Sequence, residues 1–176
     1  MEFHPIIVAT AYCVLIGGAV SDYRLRKITN RFNVAAAGTG LLLQTAISGA
    51  TGLAAGLSGL VVGLLIMFLP FAVGMIGGGD VKFSAAVGTF LGWKVLVVGL
   101  FAGVILGGVT AAAVLLKSGR FVSAMKSLFA DLMCLSSGVR PTTLKTTQAV
   151  ETVPYGVLLA IGMAGSLTAT LLRWVP

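Results

Sequence analysis

Long apolar runs separated by short polar breaks set the pattern of this chain. A helix that crosses a bilayer needs roughly 20 apolar residues, within a range of about 17–25. Residues 5–20, 32–47, 53–76, 95–116 and 154–172 each supply a run near that length. A sixth apolar stretch, 81–92, is short for a crossing unless the membrane thins or the segment lies in a groove of the protein. The breaks are a polar stretch at 21–31, a glycine-rich turn around Gly49 and Gly52, the run Gly77-Gly78-Gly79-Asp80, and a long connection at 117–151. Arg173 and Trp174 close the last run as an interfacial anchor.

Composition makes lipid the solvent for most of this. Hydrophobic residues make up 57% and charged residues 10%, where a soluble domain carries about a quarter charged residues. That leaves too little polar surface to cover a water-soluble globule. Lys and Arg outnumber Asp and Glu by 12 to 5, a balance that in a soluble protein would raise nucleic acid as a partner. Here the basic residues sit between apolar runs, as cytoplasmic loops of membrane proteins do, so membrane topology accounts for the charge and no nucleic-acid partner is expected. The first run lacks the basic leader of a cleaved signal peptide and is expected to be retained.

Charge also sets the parity. The connections 21–31 and 117–151 both carry more Lys and Arg than acid, and both fall on one side only if 81–92 crosses. The expected fold is therefore all-α, a single membrane-embedded domain over 1–176. Six transmembrane helices put both termini outside and the two basic connections, with Gly77–Asp80, in the cytoplasm. Within 117–151, Phe121, Val122, Met125, Leu128, Phe129, Leu132 and Met133 recur at helical spacing opposite Arg120, Ser123, Ser127 and Asp131. This fits a helix in the headgroup layer or one packed on the bundle equally well. Residues 136–152, polar and holding Pro141, are expected to form a mobile loop. Gly59 and Gly63, and Gly99, Gly103 and Gly107, recur at four-residue spacing, as close helix packing in lipid requires.

Few residues can carry chemistry. His4 is the only histidine, and Cys13 and Cys134 belong to no C-x-x-C pair, which leaves no two-histidine or thiolate metal site in one chain. Of the five acids, Glu2, Asp131 and Glu151 fall in terminal or polar segments, where solvation is their ordinary role. Asp22 and Asp80 each stand at the boundary of an apolar run, where an ionisable group is costly and marks a functional site by default. Bland roles exist for both, since Asp22 can pair with Arg24 or Arg26 and Asp80 can cap a helix. Lys82 reads as a side chain snorkelling to the interface. Capping leaves three glycines unexplained; they allow a tight turn and close backbone approach. Two carboxylates brought together can divide the work of hydrolysis, one activating water while the other, protonated, donates to a carbonyl. That chemistry calls for no metal or cofactor.

These motifs resemble those of the type IV prepilin peptidases, the GxGD-type membrane aspartyl proteases. Gly77-Gly78-Gly79-Asp80-Val81-Lys82-Phe83 matches the family's G-x-G-D-x-K-apolar element, and Asp22 followed by Ile28 and Asn30 matches the element around its first aspartate. Thr29 stands where that element has proline. Val153-Pro154-Tyr155-Gly156 resembles the P-aromatic-G element that opens the last helix. The resemblance implies that Asp22 and Asp80 are the catalytic dyad, supported by Gly77, Gly79, Lys82, Ile28, Asn30, Pro154, Tyr155 and Gly156, with no metal or cofactor. It implies a prepilin substrate cut at the cytoplasmic membrane face after a short basic leader, with the pilin helix left in the lipid. Larger members carry an N-terminal cysteine-containing domain and methylate the new terminus. Neither that insertion nor its cysteines are present, and the size is similar to the short form that processes Flp-type pilins. On the residues alone, a small transporter with an aspartate proton relay and a non-catalytic secretion subunit stay open as alternatives.

Overall fold

The structure is a computed structural model that describes residues 4–72, 76–119, 122–123, 125–126 and 155–174. The described residues form helices and no strand: α1 (Pro5–Leu25), α2 (Asn30–Ala72), α3 (Gly78–Lys117) and α4 (Tyr155–Trp174). Each is long and apolar enough to cross a membrane. Where the sequence predicts six separate segments, four helices carry them, because two of the expected breaks are single residues inside a helix. Gly49 adopts φ 59°, ψ −139° in α2, and Gly92 adopts φ 69°, ψ 166° in α3. Both lie in conformations that a side chain disfavours strongly.

The chain doubles back at each of these glycines. Past Gly49, a Cβ on Gly56 would meet the Leu41 side chain at 3.0 Å. Past Gly92, the Leu96 side chain lies 2.9 Å from where Gly88 would carry one. Gln44, buried near the first turn, donates its Nε2 to Phe90 O at 3.0 Å and ties the two hairpins together. The leg 78–91 rises only about 21 Å at 1.5 Å per residue, so its length alone is poor for spanning. Its surroundings account for it, since residues 83–92 are all buried, with Phe83, Val87 and Phe90 fully enclosed. A helix apolar all round and enclosed by others is the core of a bundle.

The chain divides into two compact units, one of residues 1–106 with 154–176 and one of 107–153. In the first, Ile7, Ala11 and Leu15 of α1 and Leu159, Met163 and Leu167 of α4 join that central leg in one core. Four glycines of the predicted small-residue seams, Gly59, Gly63, Gly99 and Gly103, pack against neighbouring backbone. Gly59 faces the backbone of Gly88, Gly63 faces Ala85 at 2.9 Å, and Gly99 and Gly103 face Met163 and Leu159. Backbones touch where no Cβ intervenes, and packing of this kind holds helices together in lipid. Large apolar side chains such as Leu42, Leu65, Phe101 and Ile105 point outward, as a lipid-facing surface requires. In the second unit α3 runs on to Lys117 and closes at Gly119 in the left-handed region, φ 66°. Of the predicted helix near 121–133, Val122, Ser123, Met125 and Lys126 are helical and exposed. Its remainder and the expected loop at 136–152 lie outside the described residues.

Candidate active site

Asp22 sits in the last turn of α1, a helix that runs five residues beyond the apolar stretch that predicts it. What ends α1 is Arg26, which takes the left-handed conformation, φ 49°, and donates its N–H to Asp22 O at 2.8 Å. Ser21 Oγ donates to Lys27 O at 2.9 Å, folding the connection back over the helix end. The Asp22 side chain is buried, and its Oδ2 accepts the N–H of Val157 at 3.3 Å. Val157 lies in the first turn of α4, where backbone N–H groups have no partner inside their own helix.

Asp80 is the third residue of α3, and its N–H donates to Gly77 O at 3.1 Å. Of the glycines before it, only Gly79 is set by close approach, and none makes a left-handed turn. None of Gly77, Gly78 and Gly79 has a positive φ. Gly79 packs on the α1–α2 connection, where an added Cβ would lie 3.3 Å from Ile28 O. At Gly77 and Gly78 an added Cβ would have ordinary contacts, 3.5 Å to Asp80 Oδ2 and 3.4 Å to the Phe71 ring.

The two carboxylates meet across Gly156. The point where a Cβ would stand on that residue is 2.8 Å from Asp22 Oδ2 and 3.1 Å from Asp80 Oδ1. The two oxygens are thus within about 6 Å of each other, inside the range at which like charges act on one another. Glycine at this position leaves the space between them open. Tyr155, the residue before it, is partly buried and within electrostatic reach of Asp80.

The supporting residues expected from sequence divide into those near this point and those away from it. Gly77 and Gly156 lie against aspartate oxygens, Gly79 precedes Asp80 with Ile28 packed on it, and Tyr155 precedes Gly156. Asn30 is the exposed first residue of α2, and Lys82 is exposed. Pro154 lies outside the described residues. Thr29 caps α2, its hydroxyl accepting the N–H of Phe32 at 3.4 Å, so the residue in the proline's place has work of its own. Two groups escape sequence reasoning. One is the Val157 N–H, which no side-chain pattern signals. The other is Asn33, buried at 3% exposure, whose Nδ2 donates to Gly79 O at 3.2 Å. Its only signal in sequence is an amide within an apolar run, which Gln44 in the same run shares. Among the described residues no three His, Cys, Asp or Glu side chains gather as a metal site would need.

The fold and this site define an integral membrane protein of helices that draws two aspartates together at helix ends. The chain belongs to the type IV leader peptidase family, whose sequence profile matches residues 9–112, a stretch that includes both aspartates. It is 30% identical over 139 residues to the prepilin leader peptidase/N-methyltransferase of Bacillus subtilis (strain 168), a match covering 78% of this chain and 54% of that protein. The chain thus spans about half the length of the curated relative it matches. No solved structure matches it.

Proposed function

We propose that the chain is an aspartyl endopeptidase of the cytoplasmic membrane that removes the short leader of prepilins of the type IV or Flp kind. The observation that carries this reading is the convergence of Asp22 and Asp80 on the open point at Gly156. A water held there is activated by one aspartate acting as base and attacks the scissile carbonyl. The other aspartate, protonated, donates to the carbonyl oxygen. Collapse of the tetrahedral intermediate breaks the C–N bond, the proton on the former carbonyl oxygen returns to the second aspartate, and the proton taken from water passes to the leaving nitrogen.

Placement at the cytoplasmic face draws on charge. Arg24, Arg26, Lys27 and Arg31 belong to the connection that follows Asp22, and basic connections stay in the cytoplasm. If each leg of the hairpins at Gly49 and Gly92 crosses, the chain crosses six times and the starts of α3 and α4 return to the side on which α1 ends. The termini then face outward, and the pilin helix stays in lipid beside the enzyme. The methyl transfer in the relative's name is not carried over, since the sequence holds no paired cysteine motif.

The test is co-expression with a candidate prepilin, leader removal being scored by mass. Wild type should trim the leader. Asp22→Asn and Asp80→Asn, inserted to the same level, should each lose at least about 10²–10⁴-fold, the usual worth of a general acid or base. Trimming at the wild-type rate by either inserted variant rules the mechanism out.

A further inference from the structure

Gly79, the residue before Asp80, is touched twice by the stretch that leaves Asp22. The Ile28 backbone lies against its α-carbon, where a Cβ would be 3.3 Å from Ile28 O and 3.7 Å from Ile28 N. Asn33, one turn into α2, reaches its carbonyl with Nδ2 at 3.2 Å. The same stretch is fastened to the end of α1 by the bonds from Arg26 N–H to Asp22 O and from Ser21 Oγ to Lys27 O. A short run of chain, from Asp22 to Asn33, thus links the helix end bearing one aspartate to the turn bearing the other.

Asn33 is costly in this position. Its Oδ1 is buried and has no hydrogen-bond partner among the described residues, and a buried acceptor left bare is unfavourable. Reversing the amide would place its oxygen against the Gly79 oxygen, so the orientation is fixed by the bond it makes. A leucine would carry no bare acceptor. What only the amide supplies is the bond to Gly79.

We propose that Asn33 is a positioning residue for the dyad, its amide and the Ile28 backbone together clamping Gly79 so that Asp80 is held in register with Asp22. The proposal rests on the dyad reading above, and its test separates the two. Asn33→Leu removes the donor while keeping the branching of the side chain, and Asn33→Gln keeps an amide. Each is purified in detergent beside wild type, and kcat and KM for a prepilin peptide are measured together with amide hydrogen exchange over residues 77–82. Asn33→Leu should lower kcat about 10- to 100-fold, the scale set by an ångström of misplacement, with KM within about twofold and faster exchange confined to the Gly79 turn. Asn33→Gln should recover part of kcat. Should Asn33→Leu not accumulate, Asn33→Ala serves in the same comparison.

Wild-type kcat in Asn33→Leu, with Asp22→Asn and Asp80→Asn inactive, overturns the clamp and leaves the dyad standing. Faster exchange with unchanged kcat reduces Asn33 to a structural pin and also overturns the proposal. Cleavage by Asp80→Asn removes the dyad reading, and this proposal with it.

Discussion

Gly156→Ala adds a single methyl group where the two carboxylates converge. Its carbon would start 2.8 Å from Asp22 Oδ2 and 3.1 Å from Asp80 Oδ1, against ordinary contact at 3.4 Å and beyond. Neither neighbour is free to yield, because Asp22 is held by the Val157 N–H and Asp80 by its place in the first turn of α3. The carboxylates must separate by roughly half an ångström or more, and the methyl occupies the point where the proposed mechanism holds its water. Since an error of 1 Å in a reacting group costs on the order of 100-fold, kcat for a prepilin peptide should fall about 10- to 100-fold. The helix itself should not lose, because alanine is a better helix former than glycine, although in the first turn of α4 the gain is smaller than in a helix interior. Lost activity at undiminished thermal stability therefore separates displaced carboxylates from unfolding. Gly165→Ala in the same helix, where a Cβ meets nothing within 4 Å, supplies the control and should keep its activity. The assay is leader release by purified enzyme in detergent, followed by mass spectrometry. A Gly156→Ala enzyme with kcat within twofold of wild type would refute the placement of the reaction at this point.

The hairpin turns make two further predictions. Gly92→Ala forces a side chain into φ 69°, ψ 166° and should lower stability by about 1–3 kcal/mol, read as a lower melting temperature in detergent; an unchanged melting temperature would contradict the turn. In a Cys13→Ser, Cys134→Ser background, Thr51→Cys and Lys94→Cys should react with an impermeant thiol reagent added outside the cell, and Lys27→Cys only after permeabilisation. Outside labelling of Lys27→Cys would overturn the six-crossing topology.

The apolar runs were legible because a lipid solvent demands them, and even the short one at 81–92 appeared at nearly its true bounds. The number of continuous helices was less so. A break of one residue at Gly49 or Gly92 looks in sequence like any loop, and only the dihedral angles reveal that the helix resumes at once. The end of α1 was read too early because Ser21 and Asp22 are polar, whereas the helix stops where Arg26 turns left-handed. Of the three glycines at 77–79 only Gly79 packs closely, on Ile28 O, which the sequence does not single out, because a tight turn and a close approach leave the same mark on it. Asp22 and Asp80 stood out as acids at the edges of apolar runs. Their meeting at Gly156 did not, because it depends on three helix ends being brought to one place by the packing of the whole bundle. Asn33 was hidden for a related reason, its partner lying 46 residues away on another helix.

The bond between Val157 and Asp22 spans 135 residues of chain, and this sets a timetable for the molecule's birth. At about 5–20 residues per second, the ribosome needs roughly 7 to 27 seconds to travel from one to the other. During that interval a growing chain gains both aspartates while it still lacks the amide that holds Asp22 and the glycine between them. A leader peptide met by such an unfinished chain finds two acids and no assembled site. On the proposed mechanism, cleavage would then begin only with the arrival of α4, and a chain made in the same membrane as a prepilin would be silent until that helix is in place.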